Sequence, residues 1–258
     1  MEDSIRKVAS RLIRSRSAVA LTGAGISVES GIPDFRSPGG LWTRYDPVEF
    51  GHIQSFLANP TKVRKMLLEI DAILNSAVPN PAHYALSELE RRGILKGIIT
   101  QNIDGLHQRA GSGNVVEYHG DGRSLRCLKC GKLWARDMVS FDSLPPKCAC
   151  GGILRPNFVF FGESIPEKAH HAAITLVSGC DVLLVVGTSA SVAPASYLPV
   201  MAKETGGFIV EINPAVTELD PRIVDIRITQ PAGKALPAIV EAIDRLMSEG
   251  HEVSDDIP

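Results

Sequence analysis

Four cysteines gather between positions 127 and 150, as Cys127-Leu-Lys-Cys130 and, after 17 intervening residues, Cys148-Ala-Cys150. Each pair runs into glycine, Gly131 and Gly151-Gly152. Two close pairs of thiolates are the donor set of a tetrahedral zinc site whose four positions are all filled by protein, a structural site with no place for a reacting water. The second pair is one residue tighter than the usual spacing, which bears on turn geometry and not on ligand count. Two disulfides are the competing arrangement, disfavoured in a reducing compartment. Cys180 stands alone before an apolar run and reads as a small core residue.

A second set of residues suits a nucleotide. Gly23-Ala24-Gly25 follows the apolar run 17–22, and backbone N–H groups in such a turn favour a pyrophosphate. A dehydrogenase fingerprint would place a third glycine at position 28, where Val28 stands, so ordinary hydride transfer is disfavoured. Alone, the two glycines fit a plain tight turn equally well. The stretch Gly31-Ile-Pro-Asp34-Phe35-Arg36-Ser37-Pro-Gly-Gly-Leu-Trp42 mixes Pro, Gly, aromatics and an Asp/Arg pair, a composition that suits a loop closing over a ligand. In Thr100-Gln101-Asn102-Ile103-Asp104-Gly105-Leu106-His107, Asn102 offers a carboxamide and Asp104 an acceptor, the groups needed to hold a nicotinamide amide. For Asp104 the alternative is an Asx turn starting the next helix. His119 precedes Gly120 just past a short apolar run, and its ordinary pKa of about 6.5 suits a general base. His107, His170 and His171 lie on helix-like segments and read as surface or packing residues. Gly187-Thr188-Ser189 and Asn213-Pro214 each end an apolar run.

The elements that must carry these groups alternate. Ile5, Val8, Ala9, Leu12 and Ile13 mark an amphipathic first helix; Asn80-Pro81 starts another through Ala82, Ala85, Leu86 and Leu89; Leu236 to Leu246 marks a C-terminal one. Runs at 17–22, 94–100 and 208–212 read as strands, and 181–187 is the strongest, apolar on both faces as a parallel sheet requires. The reading is an α/β, Rossmann-like parallel sheet domain spanning 1–43, 79–118 and 157–258. A smaller lobe is made of a helical module, 44–78, and a zinc-binding module, 119–156. The tail 251–258 reads as frayed.

The 258 residues fit one large or two small domains at roughly 150 residues each. A net charge of −2 excludes a binder that holds many phosphates by charge alone, so no direct nucleic-acid binding is expected. No apolar run of about 18 residues predicts a membrane span, and the N-terminus does not read as a signal peptide, so a cytoplasmic location is expected.

Taken together, GAGIS-x-x-SGIPDFR (23–36), TQNIDGLHQRAG (100–111), HG (119–120), the Cys pairs, LRPNFVFFGE (154–163), GTS (187–189) and IN (212–213) resemble the sirtuins, NAD-dependent protein-lysine deacylases, over nearly the whole chain. The resemblance implies NAD and one structural zinc, with an acyl-lysine peptide bound as an added strand. It implies cofactor contacts from Gly23, Ala24, Gly25, Ser27, Asp34, Phe35, Arg36, Trp42, Gln101, Asn102, Ile103, Asp104, His119, Gly187, Thr188, Ser189, Asn213 and Ala232. Catalysis would fall to His119, Asn102 and Asp104, and the zinc ligands would be Cys127, Cys130, Cys148 and Cys150. The peptide would lie between Val159, Phe161, Gly162 and Glu163 on one side and Val192, Ala193 and Pro194 on the other. The implied reaction moves the acyl group from lysine to ADP-ribose and releases nicotinamide. Ser37 stands where many members have Gly, and Asn157 where many have Asp.

Members preferring succinyl- or malonyl-lysine carry a Tyr-x-x-Arg pair in the helical module. Residues 51–75 hold no Tyr, and Arg64 follows Thr61 at that spacing, so neutral acyl groups are expected. Phe35, Val159, Phe161, Phe50, Phe56, Met66 and Leu67 are candidates for an apolar acyl tunnel. Mono-ADP-ribosyl transfer from the same NAD site is the rival activity.

Overall fold

The fold, a computed structural model that describes residues 2–34, 40 and 43–252, centres on strands too apolar to face water. β1 (Ala18–Thr22) and β7 (Val182–Val186) are buried at every position. With β2 (Leu95–Thr100), β3 (Val115–Glu117), β8 (Phe208–Ile212) and β9 (Ile226–Ile228) they form a parallel sheet in the order β3-β2-β1-β7-β8-β9.

Strand side chains alternate between faces, and each set finds its own helices. Ala18, Ala20, Leu184 and Val186 pack with Val8 and Leu12 of α1 (Glu2–Ile13), Leu86 and Leu89 of α5 (Pro81–Arg91), and Leu236 and Ile239 of α9 (Ala232–Glu252). Val19, Leu21, Leu183 and Val185 pack with Val177 of α7 (Glu167–Ser178) and Leu198 and Ala202 of α8 (Leu198–Glu204). Both faces are thereby covered, as parallel sheets require. The chain runs from β1 outward through β2 and β3, then returns past β1 to β7. That reversal opens a crevice at the carboxyl ends of β1 and β7, where open α/β sheets bind ligands.

Helix starts follow one rule. Asp46-Pro47, Asn59-Pro60 and Asn80-Pro81 each put an Asx side chain on a backbone N–H of the first turn and proline inside it. They begin α2 (Pro47–Gly51), α4 (Pro60–Ser76) and α5, with α3 (Ile53–Ala58) between the first two. The segment 44–78 thus holds three helices and no named strand. Their core is Ile53, Phe56, Val63, Met66, Leu67 and Phe160, so three of the tunnel candidates pack within the module itself.

The cysteine segment, aperiodic in sequence, carries strands that no apolar run announces. β4 (Gly120–Cys127), β5 (Leu133–Ala135) and β6 (Leu154–Phe158) form an antiparallel sheet in the order β5-β4-β6. The chain after β6 ties the pieces together. Val159 N–H donates to His119 O (2.8 Å), Phe161 N–H to Gly51 O (2.9 Å), and Ile53 N–H to Phe161 O (3.0 Å). The readings for Phe35, Arg36, Ser37, Trp42 and residues 253–258 lie outside the described residues. Among the described residues no helix is long and apolar enough to cross a membrane.

Candidate functional site

The crevice is built by backbone touching backbone. Gly23 N–H donates to Val186 O (3.1 Å) and Gly25 N–H to Gly187 O (2.7 Å). A Cβ on Gly25 would lie 2.7 Å from that oxygen, and Gly187 sits at φ +59° with Ile26 N 2.3 Å from where its Cβ would be. Only glycine permits this approach. Residues 24–30 then turn as a 3₁₀ helix with Val28 exposed, so the third fingerprint glycine, needed for close helix–strand packing, is not required here.

The loop after β2 closes one side. Gln101 N–H donates to Thr22 O (2.9 Å), and its Nε2 to Thr188 Oγ1 (3.0 Å). Asn102 is buried; its Nδ2 donates to Gly23 O (3.0 Å) and Ser27 Oγ (3.2 Å). Ser27 Oγ in turn donates to Asp104 Oδ2 (2.7 Å), while Asp104 Oδ1 accepts Leu106 N–H (2.9 Å). Asp104 starts the turn into α6 (Leu106–Arg109) and also belongs to the polar network with Asn102.

His119 meets that loop from the other side, its Nδ1 3.0 Å from Gln101 O. A carbonyl only accepts, so Nδ1 carries the proton and the Nε2 lone pair is left for a substrate proton. Burial pushes this ring below its usual pKa, and the bond to the Gln101 carbonyl opposes the shift. The imidazole is neutral at physiological pH, the form a base needs.

Across the crevice, Asn213 Nδ2 donates to Thr188 O (3.1 Å), and Ser189 Oγ lies 2.8 Å from Ser191 Oγ. Ala232 is buried at the start of α9. Glu29, which the sequence reading passes over, accepts the Gly233 N–H (2.7 Å) and fastens α9 to the 24–30 turn. His107 is no surface residue. Its Nε2 lies 2.9 Å from Thr22 Oγ1, and its ring is 5.0 Å from that of His83, also fully buried. The side chain of His83 had a local signal, a capping box with Asn80.

Along the cleft edge Phe161 is 43% exposed, and Gly162 takes φ +85° against His52. The Glu163 carboxylate accepts Arg155 Nη2 (2.8 Å) and Phe160 N–H (2.9 Å), so it shapes this strand from within. Val192 to Pro194 lead into the turn at 195–197, where Ser196 N–H donates to Val192 O (2.9 Å).

The four cysteine sulfurs lie within 4.8 Å of one another, with Cys127–Cys150 at 3.5 Å and Cys130–Cys148 at 3.8 Å. Zn–S bonds of about 2.3 Å in a tetrahedron set sulfurs about 3.8 Å apart, so these residues fit the ion. Gly131 (φ +72°) and Gly151 (φ +81°) close the two knuckles. All five cysteines are free thiols, which removes the disulfide alternative.

A doubly wound sheet with a glycine-lined crevice, a buried Asn/Ser/Asp network, a neutral histidine beside it and a four-cysteine cluster suits an NAD-site enzyme of the sirtuin kind. The comparisons agree. The Sir2 family model matches residues 23–194, and the chain belongs to that family. The NAD-dependent protein deacylase 2 of Pyrobaculum aerophilum is 49% identical over 239 residues, 92% of this chain and 95% of the relative. A Sir2 homologue solved as an NAD complex is 44% identical with a TM-score of 0.87, covering 93% of this chain and 94% of that one. A Sir2 solved with a deacetylated p53 peptide and 3′-O-acetyl-ADP-ribose is 37% identical, also with a TM-score of 0.87, covering 92% and 97%.

Proposed function

We propose that this chain removes acyl groups from protein lysine, consuming NAD and one water and yielding free lysine, nicotinamide and O-acyl-ADP-ribose. The observation that carries the reading is His119, with Nδ1 tied to Gln101 O and Nε2 free to take a proton, set just past β3 against the loop that holds Asn102 and Asp104. NAD supplies the ribosyl carbon that loses nicotinamide and the hydroxyl that receives the acyl group.

The protein's own part is positioning and proton transfer. The Asn102–Ser27–Asp104 network shapes the nicotinamide pocket, the Gly23/Gly25 turn and Gly187–Ser189 line the phosphate and ribose path, and Asn213 and Ala232 flank adenosine. His119 Nε2 accepts a ribose hydroxyl proton, which frees that oxygen to attack the acyl carbon. The peptide adds as a strand between 159–163 and 192–194, so backbone bonds supply affinity and sequence preference is loose. Zinc, held by four thiolates, supports the lobe and takes no step, because no coordination position is open. Free thiols throughout suit a reducing, cytoplasmic compartment. The names of the relatives lend no support to ADP-ribosyl transfer as the main activity.

The test is a nicotinamide-release assay across acyl-lysine forms of one peptide. A succinyl carboxylate entering an apolar tunnel without a partner pays several kcal/mol, so acetyl-lysine is expected to exceed succinyl-lysine by at least about 100-fold in kcat/KM. Equal rates would place a cation in the tunnel.

A further inference from the structure

We propose that the junction between the helical and zinc modules binds a small inorganic anion of halide size, held between Arg64 and Arg136. This rests on packing at that junction and is independent of the deacylase reading.

Arg64, on α4, is 1% exposed and ranks among the largest fully buried side chains. Its Nε and Nη2 are buried and reach no acceptor among the described residues. A buried guanidinium with unmatched donors is costly unless paired. The neighbouring charges do not pair it. Arg136, from the zinc module, places Nε 3.0 Å and Nη2 2.5 Å from Asp71 Oδ2, taking up the one carboxylate. Both guanidiniums face the ring of Phe141, with carbons at 4.1 Å (Arg64) and 3.7 Å (Arg136) from its centroid. Two cations and one anion leave the cluster with one uncompensated positive charge. Burial lowers the Arg64 pKa to about 10, with Asp71 opposing and Arg136 adding to the shift, so the group stays protonated at neutral pH.

The two guanidiniums and Asp71 line a cavity of about 10 Å³. That is about one probe sphere, room for a single water or a monatomic ion and too little for an oxyanion. A water would satisfy the N–H groups and leave the charge; a halide does both. The remaining walls are mostly apolar, Ile103 and Phe158 among them, which suits a weakly hydrated ion. Ile103 also links the site to the crevice, since its carbonyl accepts Gly122 N–H (3.0 Å) and it sits between Asn102 and Asp104. An anion here would join α4, the zinc module and the floor of that loop.

The experiment uses the full, zinc-loaded chain. Thermal unfolding is compared in sodium chloride, sodium bromide and sodium gluconate at equal ionic strength, gluconate being too large for the cavity. The expected result is a saturable rise in Tm of about 4 °C or more in either halide, abolished in Arg64→Met. Crystals grown in bromide should give an anomalous peak between Arg64 and Arg136. If Arg64→Met does not fold, the peak in the wild-type protein decides. Equal Tm in halide and gluconate without a peak means that water fills the cavity and overturns the proposal. A halide effect that survives in folded Arg64→Met, or a bromide peak only elsewhere, overturns it as well.

Discussion

Asn102 is held by Gly23 O, Ser27 Oγ and Thr100 Oγ1, all part of the large domain; the four sulfurs of the small lobe chiefly face one another. The crevice inherits its geometry from a sheet whose central strands β1 and β7 bury every residue and from glycine loops that bond backbone to backbone. The cysteine lobe has a three-stranded sheet and a small buried cluster of Leu125, Cys127, Cys148 and Leu154, two of which belong to the cysteine group suited to zinc. One region is rigid because the fold makes it so. The other depends on a bound ion for what its core cannot supply. Chemistry belongs to the first region and support to the second.

The comparison breaks most visibly on metal removal. Structural zinc sites contribute about 10–16 kcal/mol to their modules, so chelation or Cys148→Ser should unfold the lobe and abolish activity. The sheet of the large domain should keep its helix and strand signal by circular dichroism. Full activity after verified zinc loss would show that the lobe stands without it.

A smaller effect sharpens the other half. In Asp104→Asn one oxygen becomes an NH2 facing either Ser27 Oγ–H or Leu106 N–H, and an unpaired buried polar group costs about 1–3 kcal/mol. NAD use and inhibition by free nicotinamide should weaken together, by about 5- to 100-fold. Unchanged nicotinamide inhibition would place the pocket elsewhere.

A further test is acid sensitivity behind the crevice. Burial lowers His83 to about 4, with Asp104 opposing, and burial plus His83 lowers His107 to about 3. Unfolded, both titrate near 6.5. Between these values the unfolded chain holds more protons, so this stability is complete above about pH 6.5 and is lost as pH falls toward 4. Tm measured against pH should drop in that window, and less steeply in His107→Gln. An equal slope in the variant would remove His107 from the account.

What could be read from sequence follows the same division. A strand buried on both faces is an uninterrupted apolar run, so 182–186 announces itself, and cysteine pairs name their chemistry by spacing. Contacts between distant residues leave no local trace. Glu29 meets Gly233 at a separation of 204 residues, and Arg64 looks like any exposed helix arginine until Phe141 and Arg136 are folded over it. For His107 the sequence leaves surface and packing open, because α6 is four residues long and its inward face has no repeat to decide between them; the structure shows packing. The small antiparallel sheet escapes notice because β5 has only three residues.

The central claim is that His119, not the four-cysteine zinc site, performs the proton transfer that completes deacylation. His119→Ala should be purified with zinc bound and given NAD and an acetyl-lysine peptide, with nicotinamide exchange and O-acetyl-ADP-ribose followed side by side. The account predicts product formation down by about 10²–10⁴-fold, nicotinamide exchange less affected, and an unchanged Tm. A folded variant that keeps more than about a tenth of wild-type turnover, above the tenfold that 1.36 kcal/mol of barrier represents, would contradict it.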